Sequence, residues 1–187
     1  MILVGTPSWG RVTAETAMSV ARDVGAGLVL ADWKIVISPY VHHNRNDIWA
    51  VWQKSNAEHL LMVDDDVSWG SGVLDQLARM CKYICFVDLP IKWNETTGFN
   101  IVAGVYNEAP YSVVPQYTDA FASAMVMFSR AVLEDVGSNP WNLLISEGNL
   151  QLNEDLSFCR RLRRKPLCVP KLDVIHHRTM KLRPRDE

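Results

Sequence analysis

The chain has 187 residues, of which 48% are hydrophobic and 21% charged, and its formal net charge is −2 at pH 7. This length is typical of one domain with a well-buried core, and the charge gives no electrostatic reason to expect a nucleic-acid partner. No stretch approaches the ~20 apolar residues of a membrane span. The four cysteines have neither paired zinc spacing nor the density of a disulfide scaffold. We therefore expect one cytoplasmic domain, residues 1–187, with reduced thiols and no transmembrane segment.

Short apolar runs alternate with helical patterns through the first half of the chain. ILVG (2–5), GLVLADWKIVIS (27–38), EHLLMV (58–63) and ICFV (84–87) are typical of strands. TAETAMSVARDV (13–24), NRNDIWAVWQKSN (44–56) and GVLDQLARMCKY (72–83) have the apolar spacing of helices with one buried face. In the first of these, the spacing predicts that Ala17, Val20, Ala21 and Val24 point inward. Such alternation implies a parallel sheet with helices on both faces.

The second half has a different pattern. GFNIVAGVYNEAP (98–110), YSVVPQY (111–117) and SAMVMFS (123–129) resemble strands joined by turns, which predicts antiparallel additions to the sheet. Two helices are expected next, RAVLEDVG (130–137), stopped by Gly137, and NEDLSFCRRLRRK (153–165), with Asn153 as N-cap. PLCVPKLDVIHH (166–177) predicts one last strand before a polar tail.

Three consecutive carboxylates, Asp64, Asp65 and Asp66, follow the apolar run HLLMV. Ligands of open α/β sheets bind outside the carboxyl ends of the strands. Adjacent carboxylates there must be solvated, hydrogen-bonded or neutralised by a cation. Mg²⁺ and Mn²⁺ take oxygen ligands from one or two carboxylates and complete their shell with phosphates and water. A solvated acidic turn is the alternative, and the D-x-D pattern alone does not decide between them.

Two later motifs add chemistry to this end of the sheet. Glu154 and Asp155 fall in the first turn of a predicted helix, whose dipole keeps a carboxylate ionised, as a general base requires. His176 and His177 end the last predicted strand, where an imidazole beside an acidic cation site is a credible ligand. Structural roles stay open for both motifs, since acidic residues are common at helix N-termini and a lone histidine is more often structural.

The order LLMVDDDVSW, NEDLSFCRRLRR and VIHH resembles the metal-dependent glycosyltransferases of the GT-A fold. ILVGTPSWGRV is similar to their first strand and nucleotide-binding loop, and DAFASAMVMFSRAVLEDVG to their acceptor-side strand and helix. The resemblance covers most of the chain. It implies a Rossmann-like, mostly parallel sheet flanked by helices, with residues 1–100 as the nucleotide-binding half and residues 101–187 as the acceptor and catalytic half.

Carried over residue by residue, the resemblance implies a donor site, a metal site and a base. Asp64 would contact the ribose or sugar of a UDP- or GDP-sugar, and Asp65 would support the site. Asp66 and His176 would bind Mn²⁺ or Mg²⁺ on the diphosphate. Asp155 would deprotonate the acceptor, a saccharide or another hydroxyl compound, with inversion, and Glu154 would orient it. The remaining expected contacts with substrate are Thr6, Pro7, Ser8, Arg45 and Trp141.

The chain departs from the family pattern at one place, and its tail adds further candidate contacts. The family usually has glycine before the acceptor-side strand, where this chain has Ala122 and Ser123, which bears on the sugar and acceptor contacts but not on the metal site. The basic side chains of the tail are candidates to close over the diphosphate, namely Lys181, Arg183 and Arg185.

Other functions stay open at this point. A haloacid dehalogenase-type phosphatase also carries an aspartate, a spacer and an aspartate after an apolar strand, and uses the first as nucleophile. That group expects Thr or Val two residues past the second aspartate, where this chain has Ser68, and a later lysine and aspartate pair that we do not find. A non-catalytic nucleotide-sugar-binding module would keep the aspartates without requiring Asp155. A nucleotidyltransferase would need a glycine-rich, basic first loop, which GTPSWGR matches only in part.

Overall fold

The computed structural model describes residues 1–30, 32–87, 90–93, 100–102, 114–121, 123–146, 149–170 and 172–177. Its strands are β1 (Ile2–Ser8), β2 (Lys34–Ile37), β3 (His59–Val63), β4 (Val67–Trp69), β5 (Ile84–Val87), β6 (Pro90–Trp93), β7 (Asn100–Val102), β8 (Gln116–Tyr117), β9 (Met125–Ser129), β10 (Leu144–Ser146), β11 (Asn149–Leu152), β12 (Leu167–Val169) and β13 (Val174–His176). Its helices are α1 (Ala14–Gly25), α2 (Val41–Lys54), α3 (Val73–Met80), α4 (Leu133–Val136) and α5 (Glu154–Cys159).

The central sheet has seven strands in the order β2-β1-β3-β9-β5-β12-β8. The pairs β1–β2, β1–β3 and β5–β12 are parallel. β9 is antiparallel to both of its neighbours, β3 and β5, and β8 is antiparallel to β12. Five of the seven strands therefore share one direction, which confirms the mostly parallel sheet. The second half contributes antiparallel strands as expected, but β9 lies in the middle of the sheet instead of extending its edge.

Side chains alternate along each strand, and those on both faces of the sheet are buried by helices. In β3, Leu60 and Met62 pack with the aromatic residues of α2 and with Phe158 of α5. Leu61 and Val63 point the other way and pack with α1 and α3. Helices therefore cover both faces, as the alternation of elements predicts.

The buried face of α1 differs from the predicted one. Ala21 is exposed, whereas Ser19 and Asp23 are buried. The Asp23 carboxylate accepts a hydrogen bond of 2.7 Å from the indole of Trp69, and the Ser19 hydroxyl donates to the Trp69 carbonyl at 3.1 Å. Apolar periodicity misses this face because polar side chains can be buried when their hydrogen bonds are satisfied.

The segment 166–177 forms two strands where one was predicted. It divides at Pro170, which has no amide hydrogen to donate to a sheet. β12 joins the central sheet, whereas β13 pairs antiparallel with β4, so that His176 lies opposite Val67. This small second pairing places His176 beside the three aspartates.

Two more predicted elements end differently. α5 stops at Cys159, well short of residue 165. The amides of Arg161 and Leu162 bond to carbonyls three residues back instead of four, and the amide of Arg163 then donates to the Asp135 carboxylate at 3.0 Å. β7 pairs with β6 in a separate two-stranded sheet, and residues 103–113 of the predicted strand region lie outside the described residues. All four cysteines are free and buried. Within the described part of the chain, no helix has the length and apolar character needed to cross a membrane.

Candidate active site

The acidic turn at residues 64–66 is fixed to three other segments by backbone hydrogen bonds. The amide of Asp64 donates to the carbonyl of Ala124 at 2.9 Å. The carbonyl of Asp65 accepts from the amide of Thr13 at 2.8 Å, and that of Asp66 accepts from the amide of His177 at 2.7 Å. The fold therefore holds the turn in place through residues next to α1, β9 and β13.

A cavity of about 600 Å³ opens at this turn, within the size range of small-molecule sites. It collects several of the predicted site residues in one place, namely Pro7, Arg45, Asp64, Asp65, Asp66 and Glu154. It is also lined by Trp9, Arg11 and Val41, which sequence reasoning did not single out. Trp9 and Arg11 belong to the loop after β1, so their position at the carboxyl end of a strand was a usable signal. Trp9 is 78% exposed, which is unusual for an indole.

A buried guanidinium joins three carboxylates from two segments, the acidic turn and α5. The Arg45 side chain, on α2, is only 5% exposed. Its Nη1 donates to Glu154 Oε1 at 2.7 Å and to Asp155 Oδ1 at 3.0 Å, and its Nη2 donates to Asp64 Oδ1 at 3.4 Å. Its guanidinium carbon lies 5.1 Å from the centre of the Trp141 ring. We call Arg45, Asp64, Glu154 and Asp155 the arginine cluster.

The charges of the arginine cluster perturb one another. Burial alone would lower the pKa of Arg45, but the three carboxylates raise it above its ordinary value, so Arg45 stays charged. Burial raises the pKa of Asp64 to about 6, although Arg45 opposes the shift. Burial also raises the pKa of Asp155, again against the effect of Arg45. Three carboxylates thus share one buried cation, and the cluster carries an excess of negative potential.

Glu154 and Asp155 have different surroundings although they are adjacent in α5. Glu154 lines the cavity. Asp155 is not among the residues described as lining it, and its Oδ2 accepts a hydrogen bond of 2.9 Å from the hydroxyl of Ser123 while its Oδ1 faces Arg45. Ser123 belongs to the FASAM segment in which the chain departs from the family pattern, and it takes part in the site through Asp155.

The loop after β1 is tied to the middle aspartate. The Ser8 hydroxyl donates to Asp65 Oδ2 at 2.6 Å, and the backbone amide of Trp9 donates to the same oxygen at 3.3 Å. Thr6 lies behind the cavity wall, fully buried, where its hydroxyl accepts a hydrogen bond of 3.0 Å from the indole of Trp33. Of the predicted nucleotide contacts on this strand, Pro7 therefore faces the cavity, Ser8 holds Asp65 and Thr6 supports the wall.

The third aspartate, Asp66, contacts a histidine at the end of β13. His176 Nε2 lies 3.1 Å from Asp66 Oδ1, and the neighbouring His177 bonds through Nε2 to the Ser68 hydroxyl at 2.7 Å. A carboxylate oxygen suits either Mg²⁺ or Mn²⁺, which commonly keep water and phosphate as other ligands, and an imidazole nitrogen favours Mn²⁺ of the two. No three His, Cys, Asp or Glu side chains among the described residues form a metal-holding group. The described chain thus offers this pair as a partial shell.

Trp141 lies beneath the arginine cluster and not on the cavity wall. Its side chain has no exposed surface, and its ring centre lies 4.7 Å from that of Phe158 in the aromatic core. Any part that Trp141 takes in the site is therefore through Arg45, which its ring contacts. The remaining predicted site features, Ala122 and the tail residues Lys181, Arg183 and Arg185, lie outside the described residues.

No protein-family model matches this chain, and no curated protein sequence matches it significantly. Among solved structures, the chain is similar to A197 from STIV, with 14% identity, a TM-score of 0.63, and coverage of 95% of this chain and 86% of that one. It is also similar to GalNAc-T7 crystallised with UDP, GalNAc and Mn²⁺, with 12% identity, a TM-score of 0.52, and coverage of 94% and 43%. The chain thus spans less than half the length of that second structure.

At these low identities, the similarities show the fold of the chain and do not show its activity. The mixed α/β architecture, with a mostly parallel central sheet between helices, matches that of GT-A-like glycosyltransferases.

Proposed function

We propose that this protein is a glycosyltransferase that moves a sugar from a nucleotide-diphosphate donor, a UDP- or GDP-sugar, to an acceptor hydroxyl. The observation that carries the proposal is the convergence of the three aspartates, Arg45 and Glu154 on one cavity, with His176 against Asp66. The similarity in fold to GalNAc-T7, which was crystallised with UDP, GalNAc and Mn²⁺, supports the choice of donor and cation.

Asp66 and His176 are the residues proposed to hold the cation. When bound, a divalent cation neutralises the negative charge that develops on a leaving diphosphate. The arginine cluster supports this assignment, because its three carboxylates already use its single guanidinium and leave no positive charge from Arg45 for a diphosphate.

The donor is proposed to lie along the loop after β1. Asp65 fixes that loop through Ser8 and the Trp9 amide, so the exposed Trp9 ring stands at the rim of the cavity. An exposed aromatic face suits stacking by a nucleobase or sugar, and the neighbouring Arg11 suits a phosphate oxygen. Asp64 is positioned to accept hydrogen bonds from ribose or sugar hydroxyls.

The base is proposed to come from α5, with the two carboxylates in exchanged roles. A general base must come within hydrogen-bonding reach of the acceptor hydroxyl. Glu154 lines the cavity, whereas both oxygens of Asp155 are engaged by Arg45 and Ser123. We therefore assign proton removal to Glu154 and the positioning of Arg45 to Asp155, the reverse of the roles implied by the family resemblance. Attack from the side opposite the diphosphate would invert the anomeric centre.

Calorimetric titration tests the donor and cation sites. UDP, GDP and their sugars are titrated with and without Mn²⁺ into the wild type, Asp66→Ala and His176→Ala. We expect Mn²⁺ to strengthen binding by at least about tenfold, or ~1.4 kcal/mol, in the wild type only. Asp75→Ala and His177→Ala are the matched controls, because Asp75 pairs with Arg79 on the surface and His177 bonds to Ser68.

Three results would contradict the proposal or favour an alternative function. Equal Mn²⁺-dependent binding in Asp66→Ala and the wild type would contradict the cation site. Nucleotide-sugar binding without release of the nucleoside diphosphate, across a panel of saccharide acceptors, would instead favour a binding module. Hydrolysis of simple phosphate esters without any nucleotide binding would favour the phosphatase.

A further inference from the structure

A second cavity, of about 490 Å³, opens on the other side of the first turns of α2. The two cavities are neighbours along the helix, since Val41 and Arg45 line the first while His42 and Asn46, the next residues in the chain, line the second. Arg45 directly precedes Asn46 in α2, and its Nη1 donates to Glu154 Oε1 at 2.7 Å. The second cavity therefore lies on the helix face next to the one that carries the arginine cluster.

The lining of this second cavity has a definite chemical character. It consists of three asparagine amides, two imidazoles and one carboxylate, with a single aliphatic side chain and no lysine or arginine among the lining residues that the structure describes. Amides and neutral imidazoles each donate and accept hydrogen bonds. A phosphate would need cationic partners and an apolar ligand would need apolar walls. Vicinal hydroxyl groups, which also donate and accept, fit this lining best.

The cavity wall is held in place by specific hydrogen bonds. Asn46 Nδ2 donates to the Trp141 carbonyl at 2.7 Å, and its Oδ1 accepts from the Trp141 amide at 3.0 Å. Asn142 Nδ2 donates to the Asn139 carbonyl at 2.8 Å. Because the buried Trp141 ring also contacts Arg45, the loop that shapes this cavity is mechanically joined to the arginine cluster.

We infer that the second cavity is the acceptor site and that its ligand is a hydroxyl-rich saccharide, whose reactive end extends past the first turn of α2 towards Glu154. This inference rests on the proposed function and deepens it, because it names the acceptor class and the wall that selects it. The amide-rich second cavity and the charged first cavity then divide recognition of the two substrates.

Saturation-transfer NMR on the full chain tests this inference. The probes are the methyl glycosides of glucose, galactose, mannose and N-acetylglucosamine, each with and without UDP and Mn²⁺. We expect at least one glycoside to bind, and its affinity to fall about fivefold in Asn142→Leu and in His43→Leu, as loss of one hydrogen bond implies. Asn56→Leu, on the exposed surface at the end of α2, is the matched control and should bind as the wild type does.

Three results would overturn the inference. They are the absence of binding by all four glycosides, undiminished binding in both cavity variants, and displacement of the glycoside by UDP with Mn²⁺, which would place it in the first cavity. Thermal melting of each variant identifies a loss of folding. Failure of the proposed function is distinguishable, because glycoside binding without any nucleotide binding would remove the transferase and leave the saccharide site.

Discussion

The first and third aspartates of the acidic turn have different partners. Asp64 belongs to the arginine cluster, where the fold supplies a buried guanidinium as the neutralising charge. Asp66, two residues on, lies beside the imidazole of His176 at the end of β13. A carboxylate paired with a buried arginine is part of the scaffold, whereas Asp66 is the carboxylate that we propose binds a cation. The contrast shows how one run of three aspartates can serve both structure and ligand binding.

The largest expected effect comes from breaking the arginine cluster. Arg45→Met leaves three carboxylates around a site that has lost its cation, and we expect the free energy of unfolding to fall by about 3–5 kcal/mol at pH 7. Urea denaturation measures this change. Arg79→Met is the control, because the exposed Arg79–Asp75 pair should contribute less than about 1 kcal/mol. Equal losses in the two variants would contradict the structural role of Arg45.

A second comparison sharpens the division between Glu154 and Asp155. Glu154→Gln should lower kcat by about 10²–10⁴-fold, since it removes the proposed base. Asp155→Asn should lower kcat by a smaller factor, because Glu154 remains. Release of nucleoside diphosphate with a saccharide acceptor measures both rates. A larger loss of kcat in Asp155→Asn than in Glu154→Gln would restore the roles implied by the family resemblance.

The smallest effect concerns the stability of the metal-free protein. Burial raises the pKa of Asp64 to about 6, so the folded state binds its proton more tightly than the unfolded state does. The stability that this proton contributes is complete below pH ~4 and is lost as pH rises through ~6. Asp64→Asn should therefore stabilise the fold at pH 7–8 by about 1–2 kcal/mol. This gain in the free energy of unfolding is smaller than the ~3 kcal/mol that corresponds to the pKa shift, because the Asp64 side chain is 31% exposed and solvent screens its charge.

Urea denaturation at pH 8, 6 and 4 checks this expectation. The gain in Asp64→Asn should shrink as the pH falls and vanish near pH 4. A gain that stays constant with pH would contradict the role of Asp64 ionisation. The matched variant Asp75→Asn, on the surface of α3, should show no comparable pH dependence.

Local sequence patterns predicted the features that depend on a single element. The strand before Asp64 and the Asn153 cap, whose side chain accepts from the amide of Leu156, follow from apolar runs and capping chemistry. The β4–β13 pair was missed because each strand has three residues and they lie more than 100 residues apart. The end of α5 was missed because the local pattern continues to residue 165, whereas the chain leaves the helix at Arg161 and the amide of Arg163 bonds to the distant Asp135. Only the assembled fold brings such partners together.

Residue type also predicted position less well than it predicted chemistry. Trp141 was predicted to line the site and Trp9 was not, yet Trp141 is fully buried and Trp9 is 78% exposed. Their places depend on how much apolar volume surrounds each ring, which a linear pattern does not contain. Ser123 was noted only as a departure from the family pattern, and its hydrogen bond to Asp155 depends on β9 lying beside β3.

The central position of β9 has a consequence for how the protein is made. Until residues 125–129 leave the ribosome, β3 and β5 each present an unpaired edge along an apolar strand, and such edges invite pairing with other chains. A nascent chain ending near residue 100 would therefore hold only the β2-β1-β3 part of the central sheet, while β5 would lack both of its neighbours, β9 and β12. We therefore expect the risk of aggregation during synthesis to fall once residues 125–129 can join β3 to β5.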